Sequence, residues 1–163
     1  MMMSWLYYLI LIQLLVISWI DLKKKKISNF WAIGNLLLAL TIYLFMPATY
    51  PFTWEVLLFP MGFIGGGFLL FLLGVMGAGD SKYLASLFML IPLEHHAIYF
   101  EKLLTATITV GALLLMQKLI VNFSKVRAYL FAYYWQGLKV AIKSKFSYAP
   151  VILLAWILLR FQV

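Results

Sequence analysis

The sequence contains no cysteine and very little charge. Of its 163 residues, 11% are Asp, Glu, Lys or Arg, and only five are acidic. Without cysteine the chain can form neither a disulfide framework nor a thiolate zinc site, and it has no cysteine nucleophile. Soluble domains carry about 25% charged residues, so the shortage of charge excludes an ordinary soluble domain.

Hydrophobic residues fill the chain instead. They make up 66% of the sequence and occur in continuous runs, unlike the alternating pattern of a transmembrane β-barrel. A membrane-spanning helix needs about 20 apolar residues, so a chain of this length has room for about six. The composition therefore predicts an all-α integral membrane protein in which residues 1–163 form a single domain.

Six apolar segments predict a bundle of six transmembrane helices. They cover about residues 3–20, 30–46, 55–76, 83–99, 101–121 and 147–163. The fourth segment is interrupted by Pro92, Glu94, His95 and His96, so five helices are an alternative. Adjacent histidines on a helix point in different directions, which argues against a metal site, and we interpret residues 94–96 as an external loop. The sequence implies no metal and no cofactor.

The basic residues predict how the chain is oriented. Lys23–Lys26 follow the first helix directly, and the positive-inside rule places them in the cytoplasm with the N-terminus outside. Alternation then puts residues 47–54 and 94–101 outside, and residues 77–82 and 122–146 in the cytoplasm. Eleven of the 13 basic residues fall inside in this arrangement. We therefore attribute the net charge of +8 to topology and to anionic lipids of the bilayer, with no nucleic-acid partner.

The predicted cytoplasmic stretch 122–146 is basic and periodic. Apolar side chains recur every four residues, at Val126, Leu130, Tyr134, Leu138 and Ile142. This spacing predicts an amphipathic helix lying on the inner membrane surface. A solvated loop with lipid-facing lysines is the alternative.

Only two aspartates occur in the chain, Asp21 and Asp80. Asp21 closes the first predicted helix, and Asp80 ends the stretch Gly77-Ala78-Gly79-Asp80 between the third and fourth predicted helices. The predicted topology places both at the same depth on the cytoplasmic side. Carboxylates on different helices can converge there.

A carboxylate pair can hydrolyse a peptide bond by activating water. The ionised member accepts a proton from the water, and the protonated member donates to the carbonyl oxygen and later to the leaving amine. Two charges about 4 Å apart, at an effective dielectric constant near 20, repel by roughly 4 kcal/mol, or about 3 pKa units. One ionisation of the pair then falls near neutral pH. Simpler roles stay open: Asp21 could balance the lysines, and Asp80 could cap a helix.

Glycines accompany the second aspartate. Gly77 and Gly79 favour the catalytic interpretation, because glycine leaves room for a second peptide backbone beside the acids. Gly62 and Gly66, in the third segment, have the GxxxG spacing. We interpret that pair as ordinary helix–helix packing.

Three stretches resemble the type IV prepilin peptidase family, membrane aspartyl proteases with a GxGD motif. Residues 21–29, Asp-Leu-Lys-Lys-Lys-Lys-Ile-Ser-Asn, match the family's aspartate, basic stretch and Ile-Pro-Asn, with Ser28 in place of proline. Residues 77–85 match GxGDxK and its apolar continuation. Residues 147–150 are similar to Pro-Tyr-Ala-Pro, with Ser147 in place of the first proline.

The resemblance implies a function and a site. The family removes the basic leader of prepilins or pseudopilins at the cytoplasmic face of the bacterial cytoplasmic (inner) membrane. By resemblance Asp21 and Asp80 are the catalytic pair. The residues of the supporting motifs are Gly77, Gly79, Lys82, Ile27 and Asn29. Larger members also methylate the new N-terminus and have an extra region, often with cysteines. The short lysine-rich connection here implies a peptidase without methyltransferase activity, most like those of tight-adherence (Flp) pilus systems.

Other functions are open on the sequence alone. One is a GxGD protease that acts on signal peptides or other membrane helices. Another is a non-catalytic transport or assembly protein, although the middles of the predicted helices carry almost no charge. Lys82 could orient Asp80, pair with an acid of the substrate, or anchor the chain at the inner surface. Asn29 is expected to cap or brace the second helix. No substrate-binding residue and no oligomeric state is predicted.

Overall fold

The computed structural model describes residues 4–72, 76–132 and 147–161. Within these ranges all regular structure is helical. The elements are α1 (Ser4–Lys24), α2 (Asn29–Phe45), a 3-10 turn (Trp54–Leu57), α3 (Leu58–Leu72), α4 (Ala78–Phe88), α5 (Leu93–Val121), α6 (Phe123–Phe131) and α7 (Ala149–Leu159).

Three helical stretches are long and apolar enough to cross a membrane. They are Trp5–Lys24, Trp54–Leu72 and Leu93–Val121. The helices Asn29–Phe45 and Ala149–Leu159 are apolar but shorter. The prediction of an all-α protein with helices of membrane length is confirmed, and the number of six spans stays a prediction.

The predicted boundary between the fourth and fifth helices is wrong. The chain turns at residues 89–92, and one helix of 29 residues, α5, replaces the predicted break near residue 100. Proline has no backbone N–H and suits the start of a helix, and Pro92 is the N-cap of α5. Glu94 and His95, interpreted above as loop residues, therefore lie in the first turn of α5.

The two shortest apolar helices are the most enclosed. Every residue of α4 from Tyr83 to Phe88 is buried, and α4 packs against α2 and α3. Similarly, α7 packs against α1 and α5, with Trp156 fully buried. The functional segments identified in the sequence begin these two helices. The fold thus packs each of these two short helices against two longer ones.

A chain of buried polar side chains fixes α4 relative to α1 and α2. The Gln13 amide donates to the Asn35 carbonyl oxygen at 2.8 Å, and the Asn35 amide donates to the Ser86 hydroxyl at 3.3 Å. An unpaired amide in an apolar interior is costly, so these groups favour one arrangement of the three helices. Asp21 is on α1 and Asp80 is on α4, so the same arrangement sets the relative position of the aspartates.

The basic stretch after α5 is described only in part. Residues Phe123–Phe131 form α6, in which Val126 is buried and Arg127 is exposed. Tyr134, Leu138 and Ile142 of the predicted stripe lie outside the described residues. An amphipathic helix on the membrane surface stays a prediction.

Candidate active site

The connection from α1 to α2 begins one turn after Asp21. Lys25 has a left-handed backbone (φ 49°), and its N–H donates to the Asp21 carbonyl oxygen at 2.7 Å. This conformation is uncommon outside glycine and typically ends a helix. Ser28 then caps α2, its hydroxyl accepting the Phe30 N–H at 3.3 Å. The N-cap is therefore Ser28 and not Asn29, which is the first residue of α2; a bracing role of Asn29 stays a prediction.

The start of α4 packs directly on that connection. Ile27 is buried, and its carbonyl oxygen lies 2.5 Å from the position a Cβ would take at Gly79. No side chain fits there without moving the backbone. The room that we expected Gly79 to leave for a second chain is therefore filled by Ile27 of this chain. The Ile27–Gly79 contact holds the GxGD segment against the end of α1.

Asp80 is the third residue of α4 and is held by its own loop. The Gly77 N–H donates to Asp80 Oδ2 at 3.0 Å, as in a capping box. The side chain is buried, with 7% of the residue exposed. Burial raises the pKa of Asp80 to about 6, the Gly77 N–H opposes the rise, and the negative charge of Asp21 adds to it. Asp80 thus both caps α4 and is electrostatically coupled to Asp21.

Asp21 is held from the other end of the chain. Only 3% of the residue is exposed, and its Oδ2 accepts the backbone N–H of Ala149 at 3.2 Å. The Ser147 hydroxyl donates to the Asp21 carbonyl oxygen at 3.3 Å. Ala149 begins α7, and the N-terminus of a helix favours an anion. These contacts hold Asp21 against the start of α7.

Tyr148 lies beside both aspartates, and we did not predict it as a site residue. Its hydroxyl is 2.8 Å from Thr107 Oγ1 of α5, and it is close enough to Asp80 to respond to that charge. The motif at residues 147–150 pointed to this segment, but not to a backbone N–H as the group that contacts Asp21.

These contacts define one end of the bundle, which we call the aspartate end: α1 finishes there, and α2, α4 and α7 begin there. It brings together five of the predicted positions: Asp21, Ile27, Gly77, Gly79 and Asp80. Asn29 and Lys82 are exposed. Among the described residues, no three His, Asp or Glu side chains form a group able to bind a metal ion.

The comparison with protein families gives one match. The model of the type IV leader peptidase family matches residues 8–161, which include both aspartates and the segment 147–150. No curated protein and no solved structure gives a significant match. The resemblance at the level of the family is confirmed.

Proposed function

The chain belongs to the type IV leader peptidase family, and we propose that it is an aspartic endopeptidase that removes the leader of prepilins or pseudopilins. The observation that carries the proposal is the pair of buried carboxylates at the aspartate end. They come from α1 and α4, and burial raises the pKa of Asp80 to about 6, with the negative charge of Asp21 adding to the rise. Such coupling allows the pair to hold one proton close to neutral pH.

In the proposed reaction, water enters between the two carboxyl groups. Asp21, ionised, accepts one proton as the water oxygen bonds to the carbonyl carbon of the scissile peptide. Asp80, protonated, donates to the carbonyl oxygen. The carbon–nitrogen bond then breaks as Asp21 passes the proton it took from water to the leaving amine, and Asp80 recovers its proton from a hydroxyl of the tetrahedral intermediate. The products are the leader's new carboxyl group and the pilin's new N-terminus.

The hydrogen bonds support this division of roles. The carboxylate of Asp21 accepts the Ala149 N–H at the start of α7, and such donors stabilise the charged form. Asp80 has a pKa of about 6, so about a tenth of it is protonated at pH 7. Asp80 is therefore the member that carries the shared proton.

We further propose that residues 1–163 act as a single domain in the bacterial cytoplasmic (inner) membrane, with the N-terminus outside. The four consecutive lysines Lys23–Lys26 lie at the aspartate end, which supports a cytoplasmic active site. Only Lys25–Ser28 separate α1 from α2, which leaves no space there for an additional region. This supports a peptidase without methyltransferase activity, as in the short enzymes of tight-adherence pilus systems.

Cleavage of a co-expressed prepilin tests the proposal. We expect wild type to shorten the prepilin, and Asp21→Asn and Asp80→Asn, each at matched membrane levels, to leave it at full length. Asparagine keeps the size of the side chain but cannot share the proton. Normal cutting by either variant would assign that aspartate a structural role. Wild type that cuts signal peptides of secreted proteins but no prepilin would favour the broader GxGD protease.

A further inference from the structure

A groove runs between α3 and α5 and ends beside the active site. It has a volume of about 820 Å³. One wall is α3, the other is α5, and Leu84 of α4 is part of the floor. Its lining is almost entirely apolar, as a surface that faces lipid or another apolar helix would be.

One end of the groove is closed by aromatic rings. Phe59 and Phe63 of α3 contact Phe100 of α5, with ring centroids 5.4 and 6.1 Å apart. These rings bring the two helices together at the end remote from the aspartates.

Two glycines leave part of the α3 wall without side chains. Gly62 and Gly66 line the groove, and a Cβ built on either would meet nothing within 4 Å. We interpreted this GxxxG pair as ordinary packing, but the packing contact of α3 with α4 is made by the neighbouring Gly67 against Ser81. Within the described residues the GxxxG surface therefore has no partner helix.

The other end of the groove reaches the aspartate end. Tyr148 and Thr107 line it there, and Tyr148 is the residue whose phenol senses the charge of Asp80. Gly67, also in the lining, packs on Ser81, the residue after Asp80. A helix that filled the groove would thus end next to the carboxylates.

We propose that this groove binds the apolar helix of the prepilin, an inference that rests on the function proposed above. A leader peptide bond lies just ahead of an apolar helix in such a substrate, and the groove offers an apolar channel that leads to the acids. Paired glycines allow the backbone of a second helix to approach closely. A lipid chain, which is thin and flexible, gains nothing from that spacing, so a helix is the occupant that the wall fits.

Filling the groove is the first test, and α3 supplies a matched control. Gly62→Leu and Gly66→Leu project into the groove, whereas Gly65→Leu lies on the same helix with equal free space but outside the lining. We expect the two groove variants to lower prepilin cleavage by about tenfold or more through a raised KM, and Gly65→Leu to cleave as wild type does. Equal effects at all three positions would overturn the proposal.

Cross-linking tests occupancy without requiring cleavage. Because the chain has no cysteine, one introduced thiol is unique. In the Asp21→Asn/Asp80→Asn background, Leu104→Cys in the groove is compared with Ile12→Cys and Leu37→Cys, which are exposed on α1 and α2. The probe is a co-expressed prepilin with a single cysteine in its apolar helix, oxidised in native membranes.

The two tests have separable outcomes. A disulfide to the prepilin at Leu104→Cys, and not at the control positions, supports the groove even if wild type cuts no prepilin, in which case the proposed function fails alone. Cleavage by wild type without a preferential disulfide at Leu104→Cys overturns the groove and leaves the function standing. A disulfide between two copies of the enzyme at this position, in place of one to the prepilin, assigns the groove to self-association and also overturns the proposal.

Discussion

The two aspartates are both buried, but Asp80 is held by its own loop and Asp21 by a segment distant in the sequence. Asp80 is fixed by Gly77, three residues earlier in its own loop. Asp21 is fixed by Ala149 and Ser147, which are 128 and 126 residues away. Local capping positions the Asp80 carboxyl group wherever α4 forms, whereas the position of the Asp21 carboxyl group depends on the packing of α7. The segment after Asp21 and the segment before Asp80 touch at the contact of Ile27 with Gly79.

The largest effect on prepilin cleavage is expected at the contact of Ile27 with Gly79. Gly79→Ala would place a Cβ 2.5 Å from the Ile27 carbonyl oxygen, so α4 must move away from the end of α1. A shift of about 1 Å in a catalytic group can cost about 100-fold in rate, and we expect a loss of this size in prepilin cleavage. Gly34→Ala, which meets nothing within 4 Å, is the control and should cut normally. Full activity in Gly79→Ala would show that the acids tolerate separation.

Titration of Asp80 measures the coupling directly. The infrared band of its protonated carboxyl group should be present below a pH of about 6 and disappear above it, and be absent in Asp80→Asn. Because the negative charge of Asp21 raises this pKa, Asp21→Asn should move the midpoint to lower pH. An unchanged midpoint in Asp21→Asn would mean that the carboxyl groups are too far apart to share a proton.

A smaller effect is expected at the hydrogen bond between Tyr148 and Thr107, which holds the segment that contacts Asp21. Tyr148→Phe and Thr107→Val each remove the hydrogen bond that joins the start of α7 to α5. A buried neutral hydrogen bond contributes about 0.5–1.5 kcal/mol, so each variant should lose about threefold to tenfold in kcat/KM. The double variant should lose little more than either one, since both remove the same bond. Fully additive losses would assign the two residues separate roles.

The smallest effects are expected at the two serines that replace family prolines. Ser28→Ala removes the cap of α2 and should cost about 1 kcal/mol of stability, with little change in kcat. Ser147→Ala loses one hydrogen bond to Asp21 and should lower kcat by about twofold, with little change in stability. Thermal unfolding and initial rates on the same preparations separate the two. Ser28 has φ −74°, which proline can adopt, so Ser28→Pro should remain active.

The sequence was most informative at residue types that are rare in this chain. Two aspartates in an apolar chain, each near the end of a helix, were sufficient to select Asp21 and Asp80 as candidates. Ile27 was recognised only by its resemblance to a motif, and Gly79 was expected to leave room for a second peptide backbone. Their contact explains the glycine at position 79, because the Ile27 carbonyl oxygen occupies the space that a side chain would need.

Other features could not be obtained from residue types. The group that contacts Asp21 is the backbone N–H of Ala149, which every residue except proline has. The hydroxyl of Thr107 looks the same in sequence as those of other threonines on α5. The break at residues 89–92 was misplaced because Pro92, Glu94, His95 and His96 were interpreted as an interruption within the fourth helix and its following loop. In the long helix α5, Glu101 is exposed and Lys102 is half-buried, with their side chains 3.3 Å apart.

The bond between Asp21 and Ala149 also orders events during synthesis. The ribosome completes α1 long before it reaches residue 149, so the nascent chain carries Asp21 through the translocation machinery without its partner. The carboxylate acquires its N–H donor only when α7 has been made and has packed against α1. If the chain is the protease proposed above, a nascent chain that has not reached residue 149 lacks the group that fixes Asp21, and we expect it to be unable to cut neighbouring membrane proteins.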